Sequence, residues 1–202
     1  MKKGFSLAEM TLVTAIIGVI TAICVTPVIN NTQNKEWSAL TKKAMTTLQD
    51  AIDMKTSNYG WPTDGNSIPL LYWLARGESQ TNYAERGVIE LVEEGSSYQY
   101  VKTKTNIVYF AQNGYYYEAS QCLTSPLTPE NSCRICADIN GTEPPTTGYT
   151  PSNWKSKLQN KVNDSAARDI ICMQVEKGIV RVRTGCADLA CKRFEQYMYE
   201  TE

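Results

Sequence analysis

The apolar run from Phe5 to Ile29 carries one charge, Glu9, and restricts the fold more tightly than any other stretch of the chain. At about 1.5 Å per residue a helix of that length spans roughly 37 Å, more than the ~30 Å hydrocarbon core of a bilayer. Such a helix must be covered by lipid, by protein or by copies of itself. Lys2 and Lys3 precede it and belong on the cytoplasmic side by the positive-inside rule.

Three general readings compete for this segment. A cleaved secretory signal fits the basic start, but an acid near the start of the apolar region does not fit, and no A-x-A site follows. A lipoprotein signal ending at Cys24 expects a small residue before the cysteine, where Ile23 stands. A plain membrane anchor leaves Glu9 unexplained, because a carboxylate at membrane depth costs about 2.5–3.5 kcal/mol and usually has a partner there.

The run Lys3-Gly4-Phe5-Ser6-Leu7-Ala8-Glu9-Met10-Thr11-Leu12 resembles the class III signal of type IV prepilins and pseudopilins. That resemblance covers about the first thirty residues. It implies cleavage after Gly4 on the cytoplasmic side, N-methylation of the new terminal Phe5, and a filament-assembly role for Glu9, four residues further on. Ser6-Leu7-Ala8-Glu9 departs slightly from the usual wording of the motif. Cleavage would create an α-amine on Phe5, and that cation and the Glu9 anion, each costly in an apolar setting, would offset each other across neighbouring subunits. The alternative is Glu9 snorkelling to the interface. Gly18 and Pro27 are candidate helix breaks. The resemblance allows them as places where a subunit stretches; ordinary tolerance of Gly and Pro in membrane helices explains them equally.

Beyond Asn31 the chain turns polar, yet Trp37, Leu40, Ala44, Leu48 and Ile52 recur on one helical face. One long helix is therefore predicted from Phe5 to about Asn58, stopped by Gly60 and Pro62. Residues 67–77 read as a short helix, with Pro near its start and Gly after its end. Residues 88–92 read as another, the flanking acids disfavouring a strand. Strands are predicted at 98–103, 107–111, 115–119 and 133–139, with Asn113-Gly114 as a hairpin turn between the second and third. A short helix at 152–162, a hairpin of 170–175 with 179–182 around Lys177-Gly178, and a C-terminal helix at 187–199 complete the prediction. Asp138-Ile139-Asn140-Gly141 followed by Pro144-Pro145 is similar to a D-x-N-G-x-x-x-P segment of pilin headgroups, without its usual continuation. As a calcium loop, Asp138, Asn140 and Glu143 supply too few carboxylates; a turn held by Asx bonding is the expectation.

Seven cysteines and no histidine remove the commonest general base and metal ligand and favour an oxidising compartment. Cys24 lies in the apolar helix. Cys122, Cys133, Cys136, Cys172, Cys186 and Cys191 are disulfide candidates, and six cysteines allow fifteen connectivities. Cys186–Cys191, and Cys122 with either Cys133 or Cys136, are the favoured pairs. Zinc on Cys133-x-x-Cys136 with Cys186 and Cys191 is the alternative. The formal net charge of −1 gives no basic footprint for nucleic acid, and no P-loop, GxSxG or HExxH motif is present. Neither catalytic residues nor a metal or cofactor are expected.

The expected architecture is α+β: a long N-terminal spine helix, membrane-spanning in its first half, packed on a small antiparallel-sheet headgroup. Its segments are a leader (1–4), the apolar helix (5–29), its amphipathic continuation (30–59) and the headgroup (60–202). The resemblance implies an inner-membrane protein with a cytoplasmic N-terminus that passes into a periplasmic or surface filament. The implied partners are related pilin subunits, a prepilin peptidase, an assembly platform and an ATPase. The filament would be a type IV pilus or a type II secretion pseudopilus. The other possibilities are a tip subunit binding DNA, a surface or a secreted substrate, and a periplasmic domain anchored singly.

Overall fold

A computed structural model describes residues 7–60, 62, 68–75, 89, 91–94, 99–112, 118–124, 133–141, 143–182 and 187–199, without the side chains of 22–31, 91, 93, 94 and 120. The chain divides into two compact units, Met1–Glu36 and Trp37–Glu202. Helix α1 (Leu7–Tyr59) supplies the first unit and the opening of the second. Its helical assignment continues through Gly18 and Pro27.

In the second unit, α2 (Leu70–Ala75), β1 (Leu91–Glu94), β2 (Tyr100–Thr103), β3 (Val108–Ala111), α3 (Ala119–Thr124), β4 (Cys133–Asp138), α4 (Trp154–Leu158), β5 (Ile170–Glu176), β6 (Ile179–Arg181) and α5 (Leu189–Tyr199) follow in order. The strands form one six-stranded antiparallel sheet whose spatial order is the chain order. In such a meander each strand pairs with its neighbours in the chain, although β3 and β4 are joined through α3 and β4 and β5 by a longer connection that carries α4.

The sheet separates two apolar clusters, and period-two alternation decides which residue joins which. Val101, Tyr109, Ile135, Ala137, Ile171, Met173 and Val175 face one side, with Ala44, Leu48, Ala51 and Ile52 of α1. Tyr100, Val108, Phe110, Cys136, Ile170 and Cys172 face the other, with Tyr149, Trp154, Leu158 and Val162. With both faces covered, β3 is buried at every position.

The amphipathic half of α1 is also tied to the sheet by polar contacts. The Tyr109 hydroxyl donates to the Ala44 carbonyl at 2.8 Å, and the Ser38 hydroxyl to the Tyr197 carbonyl at 2.6 Å. Gln49 pairs with the outer edge of β6 through both ends of its amide. Its Nε2 donates to the Gly178 carbonyl at 3.0 Å, and its Oε1 accepts from the Val180 N–H at 2.7 Å. A side chain thus occupies edge positions that could otherwise pair with another strand.

The predicted turn at Lys177-Gly178 is present, with positive φ at both residues (49° and 75°), the backbone a tight two-residue hairpin requires. Two predictions are corrected. Residues 91–94 form β1, not part of a helix, because ladder bonds to β2 (Glu93 opposite Lys102, Glu94 opposite Val101) override the local preference of the acids. Ala119 opens helix α3 instead of closing a strand; Glu118 makes an isolated bridge to Pro69, and β3 takes β4 as its second partner. The Asn113-Gly114 turn lies outside the described residues.

Candidate functional site: an exposed apolar helix surface and a buried carboxylate network

Between Leu7 and Thr21 the first unit presents large apolar side chains to its surroundings. Leu7 is 85%, Leu12 62%, Val19 60% and Ile17 57% exposed, with Met10, Val13, Ile16 and Ile20 also open. At 3.6 residues per turn these positions cover about two thirds of the helix circumference, and the exposed Ala8, Thr11, Ala15 and Gly18 fill the rest, the pattern of a helix made to be surrounded. Its hydroxyls bond within the helix. Thr11 donates to the Ala8 carbonyl at 3.0 Å, Thr14 to Met10 at 3.0 Å and Thr21 to Ile17 at 2.7 Å. Hydroxyls satisfied this way can enter an apolar environment without losing a hydrogen bond.

Glu9 stands in the first turns of α1 and is exposed. Gly4 and Phe5, the expected cleavage and methylation positions, lie outside the described residues. Gly18 has nothing within 4 Å of where a Cβ would sit. The side chains of Cys24 and Pro27 are outside the described set. Among the described residues, no helix is long and apolar enough to cross a membrane. The described stretch 7–21 is by itself shorter than the ~20 residues a bilayer core requires.

In the second unit the cysteines resolve into cross-links. Cys122 bonds to Cys133, one of the two partners favoured from the sequence, and Cys136 bonds to Cys172. Cys191 is also disulfide-bonded; Cys186, its expected partner, lies outside the described residues. The zinc reading is thereby corrected. Cys133 and Cys136 both sit on β4 and point to opposite faces of the sheet, one in each apolar cluster, so their sulfurs cannot share an ion. Among the described residues, no group of three or more His, Cys, Asp or Glu side chains is placed to hold a metal.

The D-x-N-G segment folds as an Asx-type turn. The Asn140 N–H donates to Asp138 Oδ1 at 3.3 Å, and Asn140 Nδ2 donates to the Pro144 carbonyl at 2.8 Å. Glu143 stays exposed, so the three residues weighed as a calcium loop do not converge. Asp138 faces inward, where Tyr149 donates its hydroxyl at 2.7 Å. Beside it lies Asp169, which accepts from the Thr146 N–H at 2.7 Å and the Thr146 hydroxyl at 2.8 Å. The Pro144–Pro145 bond is cis. Arg193 braces the same corner by donating to the Ile170 and Asp164 carbonyls.

Burial pushes the Asp138 carboxyl up to about 9; the neighbouring Asp169 charge adds to this, and the bonds from Tyr149, Asn140 and Gly141 oppose it. Burial raises Asp169 as well, against its bonds from Thr146. The free carboxyl of an unfolded chain releases its proton near pH 4, whereas the folded Asp138 holds it to about pH 9. This contribution to stability is therefore whole below about pH 4 and declines as pH rises across that window. The second unit should melt at a higher temperature at pH 5 than at pH 8, and Asp138→Asn, which keeps an acceptor for Tyr149, should flatten the difference. A higher melting temperature at pH 8 in the unmodified chain would contradict the assignment.

Sequence reasoning singled out Asp138 but missed Tyr149, Thr146 and Asp169 as its surroundings. The signal available was an acid ending a strand whose other residues, Arg134 apart, are apolar, which marks a buried carboxylate in need of donors. No known protein-family model, curated protein or solved structure matches the chain.

Proposed function

We propose that the chain is a type IV pilin-like filament subunit, held in the membrane and then in a filament core by its N-terminal helix, with the second unit as a headgroup. The observation that carries this reading is a helix with apolar side chains exposed on all sides and one carboxylate, Glu9, in a chain whose other unit has its own buried core. A surface of that kind marks a contact with lipid or protein. The motif from Lys3 to Leu12 supports the filament form of that contact. It places a cleavage after Gly4 and a new amine on Phe5, in a position to meet Glu9 of another subunit. The sequence of the headgroup supports a structural role over an enzymatic one, since it contains no histidine.

The deciding measurement is the intact mass and N-terminal sequence of the protein isolated from cells that produce it. A mature chain starting at N-methylated Phe5 is expected. A chain retaining Met1 would replace the proposal with a simple anchor, and one starting near Cys24 would replace it with ordinary secretion.

A further inference from the structure

Within the second unit α1 turns Ala44, Leu48, Ala51 and Ile52 into the core. Lys43, Asp50 and Asp53 are left exposed. Lys43 and Asp50 lie about two turns apart on one line of the helix, roughly 10.5 Å along its axis. That distance is too long for an ion pair within one chain. Neither residue has an opposite charge three or four positions away, and Asp50 and Asp53, three apart, repel each other. Asp53 accepts from Gln49 Nε2 at 2.8 Å, which leaves its second oxygen for another donor. Within the second unit the exposed line thus reads basic and then acidic, with no opposite charge three or four residues from Lys43 or Asp50.

The line is complementary to itself under a shift. A parallel second copy, slid about two turns toward the C-terminal end of α1, sets its lysine beside the two aspartates of the first. We infer that Lys43 of one copy meets Asp50 and Asp53 of the next, a head-to-tail contact that holds successive subunits in register. The contact is heterologous, so it repeats without closing, as a filament requires. This inference rests on the filament reading. An antiparallel pair would match the same charges as a closed dimer, but subunits inserted from one side of a membrane run parallel.

The test uses the full chain in cells that process it, with sheared filaments treated by a carbodiimide that joins amines to carboxylates at zero length. The expected product is a ladder of trimers and higher species, with Lys43 joined to Asp50 or Asp53 of another chain. K43E and D50K/D53K should each lower filament yield by about fivefold or more, and the combined K43E/D50K/D53K should restore it. All three positions are exposed, so the variants should fold, which circular dichroism checks. Unchanged yield with K43E, a cross-link that stops at the dimer, or no rescue by the combined variant would overturn the contact while leaving the filament reading in place. A wild-type chain that keeps Met1 and forms no filaments would remove both.

Discussion

In the proposed filament, Glu9→Ala is expected to leave membrane insertion and the fold of the second unit intact and to abolish filaments. Two energies of similar size drive these opposite outcomes. Removing an acid from a membrane helix removes an insertion cost of about 2.5–3.5 kcal/mol, so the variant should enter the membrane at least as well. In the proposed filament, the Phe5 ammonium then sits in an apolar setting without its counter-charge, and truncating one partner of a buried pair leaves the other uncompensated. A loss of the same size at each contact weakens it by roughly 100-fold, at 1.4 kcal/mol per factor of ten. Because every subunit makes the contact, the deficit recurs along the filament. Glu9→Gln should fail in the same way, since it keeps shape and hydrogen bonding but not charge. Immunoblots of membrane and sheared fractions provide the readout, and a normal sheared fraction from either variant would sink the pairing.

The second large effect concerns the cross-links of the second unit. Replacing Cys136 and Cys172 together by Ala should destabilise the second unit by about 4 kcal/mol, from the chain entropy that the bond removes from the unfolded state. The bond joins residues separated by 36 positions. Removing Cys122 and Cys133, separated by 11, should cost about 3 kcal/mol, because a shorter loop is less constrained by closure. For a unit of this size the first loss lowers the melting temperature by roughly 8–15 °C. Both Cys136 and Cys172 are fully buried, so the alanines also leave a small void, which adds to the loss. Thermal melts of the detergent-solubilised chain, oxidised throughout, measure the two variants side by side. A fall of under 2 °C for Cys136→Ala/Cys172→Ala would show that the bond contributes little.

The disulfides also show where a closer reading of the sequence would have gone further. Residues 133–139 already read as a strand, and on a strand positions three apart face opposite sides. That alone argues against zinc held jointly by Cys133 and Cys136, and it means only one of them can face the side on which Cys122 lies. The partner of Cys136 was not legible in the same way. Cys172 stands directly opposite it because β4 and β5 pair in a particular register. Register over a separation of 36 residues is set by how both faces of the sheet bury their side chains. The acids around β1 misled for a related reason: a short edge strand takes its conformation from its neighbour, not from its own composition.

By itself the sequence determined what is local or periodic. The unbroken apolar run with one acid, the helical face from Trp37 to Ile52, the Lys177-Gly178 hairpin and the C-terminal helix each depend on residues within a few turns or a few positions of one another, so spacing is enough to read them. Only the tertiary structure decided which distant groups meet. It made Gln49 the cover of an exposed strand edge, set Tyr149 and Thr146 as donors to two buried carboxylates, and sorted the described cysteines into cross-links. These contacts depend on the packing of a whole sheet between two apolar layers. The free energy that selects them is summed over both layers, and no single segment carries enough of it to announce the outcome.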